Sequence, residues 1–67
     1  MKVRIALVGA GGKMGIRLSR NLMKTNHEIC YLEISQPGIE RLGELGLRTS
    51  HEDSSIGTAD VVILAVP

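Results

Sequence analysis

Aromatic side chains are nearly absent from this chain: it has one Tyr, Tyr31, and neither Phe nor Trp among 67 residues. Any core must therefore be assembled from Ile, Leu, Val, Ala and Met. No run of Lys and Arg interleaved with rings is present either, which argues against a nucleic-acid surface. The single cysteine, Cys30, excludes an internal disulfide framework and fits a reducing compartment. It lies in an apolar stretch and reads as a small buried hydrophobe. Net charge is only +1, so charge selects no partner. Long apolar runs are missing too. Nothing approaches the roughly 20 residues of a membrane span. The run Ile5 to Val8, behind Lys2 and Arg4, falls short of the about 7–15 residues of a signal-peptide core. These absences imply a cytoplasmic protein with neither membrane nor nucleic acid among its partners.

What is present is alternation. "KVRIALV", Lys2 to Val8, is short, apolar and bounded by glycine, as a strand buried on both faces should be. In "MGIRLSRNLMKT", Met14, Leu18 and Leu22 lie four apart, with Met23 widening the stripe. That spacing predicts an amphipathic helix ending near Asn26, with Met14 facing the core. "EICYLEIS", Glu28 to Ser35, predicts a second strand. Ser35 or Gln36 before Pro37 opens a second helix carrying Ile39, Leu42 and Leu45, and Gly46 closes it. Leu47 to Thr49 is a candidate short strand. A polar loop follows, and Asp60 to Pro67 predicts a last buried strand stopped by proline.

This order predicts an α/β fold, a Rossmann-type doubly wound parallel sheet, of which only the N-terminal half is present: βαβαβ plus a fourth strand. A complete domain of this type has about six strands. Residues 1–67 are therefore expected to be a partial dinucleotide-binding domain, with the second half and a substrate domain elsewhere. Half a sheet exposes apolar strand faces, so weak stability in isolation is expected.

The chemistry concentrates in "VGAGGKMG". Gly9 stands where the strand enters a sharp turn, which needs backbone angles cheap only for glycine. Gly12, with Gly11, leaves bare backbone for a pyrophosphate. Gly15 allows the helix to pack closely on the strand. The helix start then offers unpaired N–H groups and partial positive charge to the phosphates. The spacing is G-x-x-G-x-x-G, not the standard G-x-G-x-x-G, which would need glycine at Met14. Ala10, Lys13 and Met14 complete the loop, and Lys13 is a candidate point charge for a phosphate.

An acidic residue is expected about 20 positions beyond the glycines to hold the ribose. Glu33 stands 18 positions after Gly15 (33 − 15) and fills that place. A carboxylate there repels a 2′-phosphate, and no base lies between Glu33 and Arg41, so NAD is favoured over NADP. Ligands bind outside the carboxyl ends of the strands, which puts Ala65, Val66 and Pro67 near the cofactor. His27 and His51 read as solvated loop residues, and no metal site is expected. Ser54 and Ser55 lack the context of a nucleophile, and Asp53 and Asp60 read as turn or cap residues.

With these residues in place, "VGAGGKMG" together with "ADVVILAVP" resembles the N-terminal NAD(P)-binding domain of the 6-phosphogluconate dehydrogenase-like, or β-hydroxyacid dehydrogenase, superfamily. The glycine loop is similar to that of prephenate dehydrogenases and of phosphogluconate-dehydrogenase-like oxidoreductases, among them the D-apionate oxidoisomerases. The resemblance implies a pyrophosphate loop at Gly9, Gly12 and Gly15, with Met14 capping its packing. It implies Glu33 at the adenosine ribose and Ala65 to Pro67 bordering the cofactor. It further implies a full-length NAD(P)-dependent oxidoreductase of hydroxy-acid or sugar-acid substrates, assembled as a homodimer. Catalytic residues of such enzymes lie downstream, so none is named, and this stretch alone should be inactive. Two other readings remain open: a non-catalytic nucleotide-sensing module, and a dihydrodipicolinate-reductase-like enzyme. A methyltransferase fits the tight strand–glycine–helix spacing less well.

Overall fold

The structure, a computed structural model, describes residues 3–50 and 56–65. The element order is β1 (Arg4–Val8), α1 (Lys13–Leu22), β2 (Glu28–Leu32), α2 (Gln36–Glu44) and β3 (Val61–Leu64). Both strand pairs are parallel and the sheet order is β2-β1-β3. β1 is central, paired on both sides, and its Ile5, Ala6 and Leu7 are all buried. From β2 the chain runs outward, then returns across β1 to form β3 on its other side. The connections thus diverge at the carboxyl end of β1, the place where open α/β sheets bind ligands. The short strand expected at Leu47 to Thr49 is reduced to one parallel bridge, Thr49 to Tyr31, beside β2.

The core joins Leu7, Ala10, Leu42 and Ala65 with Tyr31, the lone aromatic, which the expected aliphatic core left out; Ile16, Leu18, Leu22, Ile29, Leu47 and Ile63 pack against it. α1 meets the sheet differently from expectation. Its buried residues are Gly15 and Ser19, four apart. Leu18 and Leu22 flank that narrow face, while Met14 is 62% exposed and Met23 also faces out. The helix lies so close to the strand that only small residues fit beneath it. Ser19 is fully buried and satisfies its hydroxyl on the Ala10 carbonyl at 3.3 Å. α1 also stops earlier than expected, at Leu22, where the Thr25 hydroxyl takes the Leu22 carbonyl at 2.7 Å.

α2 begins on Ser35, whose Oγ accepts from the Gly38 amide at 3.2 Å, with Pro37 in the first turn. It ends on Gly46 at φ 79°. Gly46 N donates to Gly43 O at 2.9 Å and Leu47 N to Leu42 O at 2.9 Å, the paired bonds of a Schellman cap. Leu42, fully buried, anchors the helix.

At the opposite edge of the sheet, Arg4 links all three strands. Its amide donates to Asp60 Oδ2 at 2.9 Å and its carbonyl accepts from Asp60 N at 2.8 Å. Its guanidinium pairs with Glu28 at 2.9 Å, an exposed pair that fixes geometry more than it stabilises. His27 is not merely solvated: its Nδ1 accepts from the Val3 amide at 3.1 Å, closing the start of β1. Cys30 is half-buried, not fully enclosed. β3 is less covered than a buried strand should be, with Val61, Val62 and Leu64 exposed. His51, Asp53, Ser54, Ser55, Val66 and Pro67 lie outside the described residues.

Candidate dinucleotide-binding site

The turn after β1 is built almost wholly from backbone. Gly9 has φ 80°, in the left-handed region that glycine adopts without strain. Its amide and that of Ala10 both donate to the Leu32 carbonyl, at 2.9 and 3.0 Å, tying the turn to the end of β2. Gly12 N donates back to Gly9 O at 3.2 Å, and the helix takes over with Ile16 N to Gly12 O at 2.8 Å. The amides of Lys13, Met14 and Gly15 precede that first helical bond and have no acceptor within the helix. Gly12 caps α1 without a side chain, and the first turn holds no acidic residue. Among the described residues those amides have no acceptor, so they and the helix dipole are open to water or an anionic ligand.

The glycines are not equivalent. A Cβ at Gly15 would strike the Gly9 carbonyl oxygen and come within 2.6 Å of the Ala10 backbone. A Cβ at Gly11 would strike the Gly38 backbone at the start of α2. A Cβ at Gly12 would meet nothing nearer than Gly9 O at 3.6 Å, an ordinary contact. Gly11 and Gly15 are small because the protein itself occupies the space. Gly12 is small although the protein leaves room.

Glu33 lies just past β2 and turns back onto the loop. Its Oε1 accepts from Gly11 N at 2.8 Å. Its Oε2 accepts from Ile34 N at 3.1 Å, Ser35 N at 3.0 Å and Ser35 Oγ at 3.0 Å. Partial burial pushes this carboxyl up. The hydrogen bonds from Ser35, Gly11 and Ile34 outweigh that and hold it below its ordinary value. Glu33 is therefore an anion at neutral pH. Of its two oxygens, Oε1 has one protein donor and keeps a lone pair free.

The structure thus brings Gly9, Ala10, Gly11, Gly12, Gly15 and Glu33 into one place at the carboxyl edge of the sheet. Lys13 and Met14 open α1 there, both exposed. Ala65 follows β3 at the same edge, buried, with its amide on the Val8 carbonyl at 2.8 Å. One residue was missed from the sequence: Arg41, whose Nη1 donates to the Gly11 carbonyl at 2.6 Å. The signal lay in Gly38 and Arg41, three apart on one face of α2. Among the described residues, no group of three or more His, Cys, Asp or Glu could hold a metal ion. Nor is any helix long and apolar enough to cross a membrane.

A parallel sheet with this glycine turn and a strand-end carboxylate defines a Rossmann-type NAD-binding domain. Residues 4–67 match the family described as the NAD binding domain of 6-phosphogluconate dehydrogenase, and the chain belongs to that family. It is 50% identical, over all of its length, to a D-apionate oxidoisomerase of Cupriavidus necator, of which it covers 25%. It is 47% identical to a D-apionate oxidoisomerase of Rhizobium rhizogenes, over 94% of this chain and 23% of that one. A crystal structure of a semialdehyde dehydrogenase NAD-binding protein from Cupriavidus necator, in complex with calcium and NAD, superimposes with a TM-score of 0.94. That protein is 50% identical over the whole of this chain and 25% of its own. The chain spans about a quarter of the length of the relatives it matches.

Proposed function

We propose that these residues are the N-terminal, cofactor-holding part of a longer NAD-dependent oxidoreductase acting on a hydroxy-acid or sugar-acid substrate. The observation that carries this reading is the uncapped start of α1, with its free amides beside Gly12 and the Glu33 carboxylate one peptide away. NAD supplies the hydride acceptor or donor when bound. The chain's own residues bind and orient it. The amides of Lys13, Met14 and Gly15 receive the diphosphate, and Gly12 leaves it room to approach. Lys13 adds a point charge. Glu33, ionised and with one lone pair free on Oε1, accepts from a ribose hydroxyl and repels a 2′-phosphate. Ala65 borders the cofactor at the next strand. D-Apionate is the sugar acid that the names of the relatives suggest. The substrate-binding and catalytic groups belong to the remaining three quarters of such an enzyme.

Calorimetric titration of the intact protein with NADH, NADPH and S-adenosylmethionine tests this. NADH is expected to bind tightest, and tightest binding of S-adenosylmethionine would overturn the redox assignment. Glu33→Ala should weaken NADH binding more than NADPH binding, because it removes both the ribose acceptor and the repulsion. Equal losses would remove Glu33 from the ribose.

A further inference from the structure

The Gly11–Gly12 peptide is held at both ends. Its carbonyl accepts from Arg41 Nη1 at 2.6 Å, and its amide, Gly12 N, donates to Gly9 O at 3.2 Å. In a trans peptide these two groups point in opposite directions, so one rotation of the plane would break both bonds. A peptide between two glycines has little intrinsic resistance to such a rotation. Yet the Gly12 to Gly9 bond is what closes the turn and delivers the start of α1. The preceding peptide is fixed separately, by Gly11 N on Glu33. Nothing on β1 or α1 restrains the Gly11 carbonyl; its partner comes from α2. Gly38, packed so closely on Gly11 that no Cβ fits between them, sets α2 at the distance from which Arg41 reaches.

We infer that Arg41 is a positioning residue for the diphosphate cradle: by gripping the Gly11 carbonyl it prevents the Gly11–Gly12 peptide from flipping and keeps the α1 amides presented to an anion. This rests on reading residues 9–15 as the diphosphate cradle. Arg41 touches no cofactor atom in this role and acts only through the loop.

The test compares Arg41→Met and Arg41→Lys with the wild type in the intact protein. Binding of ADP-ribose, which carries the diphosphate, is set against binding of adenosine, which does not. Loss of a charge-assisted hydrogen bond should raise the ADP-ribose Kd of Arg41→Met by about tenfold or more, with the adenosine Kd unchanged. Arg41→Lys, which keeps one charged donor, should lose less and serves if the Met variant does not fold. Amide hydrogen exchange without ligand gives a second readout: Gly12 should exchange at least about tenfold faster in Arg41→Met, because local opening exposes it. Unchanged ADP-ribose affinity, or equal losses for both ligands, would overturn the inference. So would unaltered exchange at Gly12. If wild-type protein binds neither ADP-ribose nor NADH, the cofactor assignment fails, and the exchange measurement still decides the role of Arg41.

Discussion

Gly12 and Gly15 stand three residues apart in one loop, yet replacing each with alanine should fail in a different way. At Gly15 the added methyl meets the Gly9 carbonyl and lies 2.6 and 2.7 Å from Ala10 backbone atoms. Backbone cannot swing aside as a long side chain can, so α1 must shift from β1. Overpacking of this kind costs about 1–3 kcal/mol. The better helix propensity of alanine returns only about 1 kcal/mol. At Gly12 the methyl meets only Gly9 O at 3.6 Å, and the backbone, at φ −75° and ψ 179°, suits any residue. Loss of a favourable N-cap is offset by a stiffer unfolded chain, each worth roughly 0.5–1 kcal/mol, so stability should hardly change. The diphosphate, however, would be pushed off at least one amide. A hydrogen bond to a charged group is worth about 1.5–3 kcal/mol, so NADH affinity should fall tenfold or more. Denaturant titration and NADH fluorescence titration on both variants separate the effects. Wild-type NADH affinity in Gly12→Ala would refute the reasoning, as would equal destabilisation by the two changes.

Further outcomes follow from other residues. Because the Glu33 carboxyl is held below its ordinary value of 4.5, it stabilises the fold above that pH, and the contribution disappears as pH falls through the folded-state value. The stability gap between wild type and Glu33→Gln, measured by denaturation across pH, should thus be full at neutral pH and close in acid. A constant gap would contradict the hydrogen-bonded anion. Leu42→Ala, at a fully buried position, should cost about 2–5 kcal/mol by denaturant titration and loosen α2. A loss under 1 kcal/mol would show that α2 is not anchored there.

Much of the fold was legible because its signals are local. The β1–glycine–α1 passage, the Ser35 cap with Pro37, and the Gly46 stop are each written within a few residues. So was Glu33, whose place follows from a fixed count beyond the glycines. The misreadings share one cause, which is tertiary distance. The Met14–Leu18–Leu22 stripe has the right period for a core face, but the gap between α1 and β1 admits only Gly15 and Ser19. Helical periodicity shows which residues are apolar and says nothing of how near the partner lies. Arg41 was missed for the same reason: its three-residue spacing from Gly38 is visible in the sequence, but its contact with Gly11 exists only once α2 has docked. His27 finds its partner 24 residues away, in the strand opening. The last strand reads as buried from composition, but Val61, Val62 and Leu64 take their exposure from whatever covers the sheet, which periodicity cannot supply.

The attachment of Glu33 to the Gly11 amide bears on any attempt to re-engineer nucleotide preference. Trading the acid for a small neutral residue, the obvious route to accepting a 2′-phosphate, would strip the turn of an acceptor at the same stroke. An orphaned amide of that kind costs about 1–3 kcal/mol. A successful swap must therefore bring a replacement acceptor, from a serine or asparagine at position 33 or from a residue on the neighbouring helix, before any gain for the bulkier nucleotide becomes visible.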